Sequence, residues 1–295
     1  MSLIPGIIAF GLYSACLYAI GAVGFTLQFG VTNVLNLAYG AILTSAMYVD
    51  YAIGRGTPSI WFGILIGAVW GALVSVVFGR VIVMPYVRRG ASLVAMAMVT
   101  IGVALIVQYT LEAIQGPFVY SYQVAQQSTV RIAGVTMSEE QLIIIGAAVV
   151  LMVAVHALLQ YTRLGLAMRA TAVHPSLARS CGVSTERVRT TAWLVSGALC
   201  GISGVLLGIS TGSFDSVTGA SFFITVVVAA IIGGVGKPYG AMIGALILGL
   251  VSSAAAAVIS PDYKDIAAWV ILIVVLVIRP QGIFAEFSSG RELIG

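Results

Sequence analysis

Residues 141–160 read Gln-Leu-Ile-Ile-Ile-Gly-Ala-Ala-Val-Val-Leu-Met-Val-Ala-Val-His-Ala-Leu-Leu-Gln, with no Asp, Glu, Lys or Arg in the run. A helix rises about 1.5 Å per residue, so this stretch is about as long as the hydrocarbon core of a bilayer is thick. Eight other segments read the same way or nearly so: 6–29, 36–53, 59–79, 91–113, 190–210, 220–235, 239–259 and 265–279. Those at 36–53, 220–235 and 265–279 are short for a crossing, which points to broken, re-entrant or tilted helices. The expected count is about nine spans, within a range of roughly eight to ten.

The whole chain agrees with that stretch. Of its 295 residues 60% are hydrophobic and 8% are charged, whereas a soluble domain is roughly 45–50% apolar, glycine included, and roughly 25% charged. Fourteen basic and ten acidic side chains do not tile an aqueous surface. Glycine, at 34 residues, suits close-packed membrane helices. The expected fold is therefore all-α, a polytopic membrane helix bundle forming a single transmembrane domain over 1–295. Cys16, Cys181 and Cys200 are too few and too scattered for a disulfide framework and read as packing residues. No cationic segment precedes the first apolar run, so that run is expected to be a true span.

Orientation follows from the basic residues. With the N-terminus outside, the inner loops and tail hold Arg80, Arg88, Arg89, Arg163, Arg169, Arg179, Arg187, Arg189, Lys237, Arg279 and Arg291, which is 11 of 14, while Arg55, Arg131 and Lys264 lie outside. Positive charge is retained on the cytoplasmic side, so an external N-terminus and an internal C-terminus are expected. The net charge of +4 matters only through this distribution, and no nucleic-acid partner is expected. Two loops are long enough to carry function: an outer one, 114–140, expected to lie over the external mouth, and an inner one, 161–189, with five arginines and one glutamate. A faint internal repeat shows in Tyr39-Gly40-Ala41 and Tyr239-Gly240-Ala241, each opening an apolar helix after a break.

Several motifs invite a chemical reading and lose it. Gly201-Ile202-Ser203-Gly204 resembles the GxSG of an intramembrane serine protease, but the histidines at 156 and 174 precede the serine, the reverse of the rhomboid order. Gly233-Gly234-Val235-Gly236-Lys237 lacks the first glycine of a phosphate-binding loop and has Pro238 where Ser or Thr must reach magnesium. Glycines at four-residue intervals, such as Gly63, Gly67 and Gly71 or Gly197 and Gly201, read as helix-packing positions. Ion-coupled carriers bury carboxylates or paired charges at membrane depth. Here only Glu112 and His156 come near it, and they read as an interfacial carboxylate and a packing residue.

Two regions stand out. Gln28 to Gly40 is an uncharged polar interruption between apolar segments, tolerated at membrane depth only where protein or a water-filled cavity satisfies it; an ordinary tight turn is the other reading. Facing the glycine-rich break at Gly233 to Gly240, it is expected to line a translocation route for a small polar solute, with Gln28, Asn33, Asn36, Tyr39, Gly40, Gly233, Gly234 and Gly236 as its residues. In the inner loop, Pro175 suits the first turn of a short helix over 176–181 and Gly182 its stop. Leu177, Ala178 and Cys181 are expected to share one face, fit for a socket in a partner, while a plain basic loop anchored by anionic lipid is the other reading of the arginines.

On these residues the chain resembles the permeases of ABC importers for branched-chain amino acids and related small polar solutes. The inner loop carries Thr162, Gly165, Ala167, Arg169, Ala170 and Ala172, then Ala178, Gly182 and Val183. Further blocks are Asn33 to Ala41, Gly233 to Gly236 with Gly240, Ala241 and Gly244, and Arg279-Pro280-Gln281-Gly282-Ile283-Phe284. Departures are Tyr39, where the family often has Gln or His, and His174-Pro175, which replaces a more usual Asn or acidic residue. The resemblance implies a multi-pass permease of the bacterial inner membrane, not an enzyme. It pairs with a second permease, identical or homologous, and takes solute from an external binding protein. Two cytoplasmic ATPase subunits, which hold the ATP and Mg, dock on the loop 161–189, and this chain carries no cofactor or metal. Thr162, Gly165, Arg169, Ala172, Ser176, Leu177, Ala178, Cys181 and Gly182 are the expected coupling residues. A gradient-driven carrier or channel without an ATPase is the alternative class.

Overall fold

The computed structural model describes residues 3–54, 60–122, 129–132, 135–260, 264–279 and 282–283. Arg55, Pro280, Gln281, Phe284 and Arg291 of the sequence reading lie outside the described residues. Each of the nine apolar segments forms a helix: α1 (Leu3–Thr32), α2 (Tyr39–Gly54), α3 (Ile60–Val77), α5 (Leu93–Gln115), α6 (Glu139–Tyr161), α9 (Thr185–Thr211), α10 (Thr218–Gly233), α11 (Pro238–Val258) and α12 (Lys264–Ile278). A π-helical stretch, Phe78–Val83, runs α3 on into α4 (Met84–Arg88), and α7 (Arg163–Val173) and α8 (Pro175–Ser180) fill the inner loop. Among the described residues six helices are long and apolar enough to cross a membrane: α1, α3 with its continuation, α5, α6, α9 and α11. The chain is a helical membrane bundle.

Local chemistry sets the helix ends. Ser138 and Gln141 form a reciprocal capping box at the start of α6, and Ser92 caps α5 by accepting the Ala95 amide N–H. Among its described residues the loop 114–140 is not wholly irregular. β1 (Tyr120–Ser121) pairs antiparallel with β4 (Ser213–Phe214), and β2 (Thr129–Ile132) with β3 (Val135–Ser138). The core lies along α1 and α9. The central window of α9 is 83% buried, against 17% for α5, which leaves α5 facing outward. Where α3 crosses α9, a side chain on Gly71 or Gly201 would overlap the opposite backbone, so the small-residue spacing read from the sequence is spent on backbone contact.

The backbone repeats itself with a constant displacement of 179 residues: α1 and α9 end at Thr32 and Thr211, α2 and α10 begin at Tyr39 and Thr218, and these short helices end at Gly54 and Gly233. The residue after each long helix is left-handed, Asn33 at φ 53° and Gly212 at φ 70°, a conformation glycine adopts freely and asparagine more readily than most. Three positions on, Asn36 and Asp215 each accept, through the side-chain oxygen, the amide N–H two residues ahead. Each also offers its carbonyl to the first amide of the helix that follows. α1 and α9 run antiparallel, with Gln28 beside Ser196 and Leu17 beside Ser203. At the crossing of α2 and α10, Gly40 faces Gly219, and the neighbouring contacts Gly40 to Phe223 and Thr44 to Gly219 are the same pair exchanged. The repeat is thus α1–α3 against α9–α11, inverted. The Tyr39 and Tyr239 tripeptides are not its register, because Tyr239 lies in α11, whose counterpart is α3.

Candidate functional site

A cavity of about 400 Å³ lies between the end of α1, α7 and the break before α11. Its apolar wall includes Leu27, Val31, Leu159 and Met168, and Gln160, Arg169 and Lys237 add polar groups. The two predicted breaks do meet here: the Cα and carbonyl of Gly236 lie against Gly30, too close for a side chain at position 30. Gly236 itself has φ 90° and Gly234 φ 99°, and the amide of Ile283 donates to the Ile232 carbonyl, so the C-terminal family block seats on this turn.

Of the other pathway residues, the structure places several beside the cavity rather than in its wall. Gln28 and Asn36 are buried: Asn36 Nδ2 and Ser196 Oγ both donate to Gln28 Oε1, at 3.3 and 3.1 Å. Tyr39 is buried too, its ring near Phe25 and Phe223 and its hydroxyl donating to the Gly21 carbonyl at 3.0 Å. Asn33 is exposed as the left-handed cap of α1, Gly40 packs on α10, and Gly233 packs on Gly240 of α11. The correction is physical. Asn36 and Ser196 bond to the Gln28 side-chain oxygen, and the Tyr39 phenol bonds to a backbone carbonyl of α1, so these polar groups find partners within the helix packing. Gln28 Nε2 is buried without a hydrogen-bond partner among the described residues.

The inner loop folds as a pair of helices. Thr162 caps α7 by accepting the Gly165 amide N–H at 3.0 Å, and Gly165 lies against the carbonyls of Leu158 and Leu159 at the end of α6. Arg169 Nη1 donates to Gln160 Oε1 at 3.2 Å, Gln160 Nε2 donates to Tyr239 Oη at 3.3 Å, and Tyr239 Oη sits 3.0 Å from His156 Nδ1. A chain of polar contacts therefore runs from the loop to the start of α11 along the cavity wall. His156 belongs to this series, bonded to Tyr239 and with its ring against Tyr161 and Tyr239, and is exposed. α8 forms where expected, and Gly182 follows it at φ 83°. The expected shared face is corrected: Ser176, Leu177 and Cys181 are exposed, but Ala178 is buried and its amide bonds to the His174 carbonyl. Ala172 is exposed at the cavity edge.

The far end is closed by residues the sequence reading did not single out. Tyr48, Tyr51, Tyr120, Tyr122 and Phe214 form one aromatic cluster, with Tyr48 and Phe214 at 5.1 Å between centroids, held together by the β1–β4 pair. Tyr122 Oη donates to Asp50 Oδ2 at 3.0 Å, and Asp50 is only 4% exposed. Burial, then the Asp50 carboxylate, pushes the Tyr122 phenol above its ordinary value, which keeps it a donor. Glu112 accepts from Ser216 Oγ at 2.7 Å, tying α5 to the break at 212–217. Asp50 is thus a buried carboxylate beyond the two ionisable groups read from the sequence. The protease reading finds no support: Ser203 is fully buried and donates to the Leu17 carbonyl.

The profile of a family described as "Branched-chain amino acid transport system / permease component" matches residues 7–276. The chain belongs to this family. As a branched-chain amino acid transport permease component by family, it is a membrane transport subunit and not an enzyme. It is 29% identical over 285 residues to the high-affinity branched-chain amino acid transport system permease protein LivH of Escherichia coli K12, covering 91% of each chain. The LivH protein of Salmonella typhimurium is 28% identical over 284 residues, again 91% of each. The permease protein BraD of Pseudomonas aeruginosa is 28% identical over 297 residues, 94% of each.

Proposed function

We propose that the chain is the permease subunit of an ABC importer that moves branched-chain amino acids, or a closely related small solute, across the inner membrane. The observation that carries the reading is the cavity at Gly30 and Gly236, bounded on one side by the inner loop and separated by the aromatic cluster from the opposite end. Aliphatic side chains and two cationic groups suit a solute with a hydrocarbon side chain and a carboxylate. In this reading the cavity is the cytoplasmic vestibule, and nine helices cross or enter the membrane with the N-terminus outside. ATPase subunits holding ATP and Mg grip α8 through Ser176, Leu177 and Cys181. A second permease and an external binding protein complete the assembly.

Three measurements test it. Reporter fusions at Ser2, Ser138 and Gly290 are expected to place the first two outside and the last inside; any other pattern overturns the topology. In a functional variant lacking Cys16, Cys181 and Cys200, cysteines at 172 and 236 are expected to react with a small water-soluble thiol reagent, and one at 36 to be protected in the cavity-open form. Failure of both cavity positions to label, with and without ATP turnover, ends the vestibule assignment. Uptake into proteoliposomes that persists without ATPase subunits selects the gradient-driven alternative.

A further inference from the structure

A second cavity, of about 360 Å³, lies where α4, α8 and the first turn of α9 converge. Arg88, Arg179 and Arg189 line it, against a single carboxylate, Glu186, which bonds to Arg88 at 2.5 Å. Arg189 Nε is buried without a hydrogen-bond partner, and Arg179 has no ion pair, among the described residues. Ser184, the N-cap of α9, makes no side-chain capping bond, so the first amide N–H groups of a 27-residue helix add to the positive field. Guanidinium groups gathered around one partly desolvated space are costly unless an anion joins them.

We propose that this cavity is a phosphate-oxyanion site, filled by the headgroup of an anionic phospholipid. Its position decides the source. Arg88 ends one apolar helix long enough to span, Ile60–Arg88, and Arg189 begins the second turn of another, Thr185–Thr211, so the cavity sits at the level where spanning helices meet headgroups. Guanidinium forks pair with phosphate oxygens in bidentate geometry. Arg179 belongs to α8, so a bound headgroup tethers that short helix to the membrane surface and fixes the stance from which it meets a partner. The inference needs α3 and α9 to span; it does not depend on which solute is carried.

The test uses the full-length protein in nanodiscs of mixed phosphatidylglycerol and phosphatidylcholine, with retained lipid counted by native mass spectrometry. Wild type is expected to keep phosphatidylglycerol through delipidation, and Arg179→Gln/Arg189→Gln to keep about tenfold less. Arg187→Gln, exposed on the same helix and outside the cavity lining, is expected to behave as wild type. Arg179→Lys/Arg189→Lys, which keeps the charge but loses the bidentate fork, is expected to retain an amount between wild type and the Gln double variant. Displacement of the lipid by inorganic phosphate supports the same site, and phosphate binding without lipid retention assigns it to the free anion. Equal retention in wild type and the Gln double variant, or no preference over phosphatidylcholine, overturns the proposal. So does loss of ATPase copurification with lipid retention intact, which gives the arginines to an acidic protein partner.

Discussion

Gly201→Leu is expected to yield no monodisperse protein in mild detergent, whereas Gly102→Leu purifies as wild type. A Cβ at Gly201 overlaps the Gly67 carbonyl and comes within 3.0 Å of the Gly71 Cα, and neither is the end of a flexible side chain that can swing away. A Cβ at Gly102 meets nothing within 4 Å. Overpacking costs about 1–3 kcal/mol and more where backbone must move, against a total stability of about 5–15 kcal/mol. The α3–α9 contact is among the most extensive in the bundle, so its loss is not local. Size-exclusion profiles of the two variants check it. A wild-type profile for Gly201→Leu means that α3 does not lie against α9 at this crossing.

Gly165→Leu and Arg169→Ala are expected to insert normally and to lose coupling, lowering substrate-stimulated ATP hydrolysis of the assembled transporter by about 5–150-fold, the usual span of a coupling energy. The first pushes α7 off the final carbonyls of α6. The second removes the donor that joins α7 to Gln160 and, through it, to Tyr239 at the start of α11. Arg169→Lys retains a donor and is expected to lose less. Reconstitution with the ATPase subunits, reading hydrolysis with and without substrate, checks both. Normal stimulation in both variants removes the inner loop from the coupling path.

What the sequence made legible was local. Residues 141–160 became α6. Pro175 and Gly182 bounded α8. These features depend on neighbours a few residues apart. Hidden were the pairings made at a distance: Asp50 meets Tyr122 across 72 residues, and β1 meets β4 across 92, from Ser121 to Ser213. Asn36 and Tyr39 looked like pathway groups because an uncharged polar side chain reads the same whether it faces water or another amide. The repeat was hidden by its own substitutions, since Asn33 and Gly212, or Asn36 and Asp215, do one conformational task with different residues. The literal match at Tyr39 and Tyr239 drew attention to the wrong register.

The inverted relation of α1–α3 to α9–α11 bears on the free-energy balance between the two faces of the transporter. Exchanging the local conformations of two equivalent halves regenerates the same contacts with the two sides of the membrane interchanged. The opposite-facing forms then differ in energy where the halves differ in composition, as at Asn36 against Asp215 or at the aromatic cluster around Phe214, and through α5–α8 and α12, which have no counterpart in the repeat. About 1.4 kcal/mol shifts such a balance tenfold, and a swing from one form nearly pure to the other takes about 5.5 kcal/mol of differential binding. A partner at either end therefore turns the molecule over only through the difference in its affinity for the two forms, however tightly it binds.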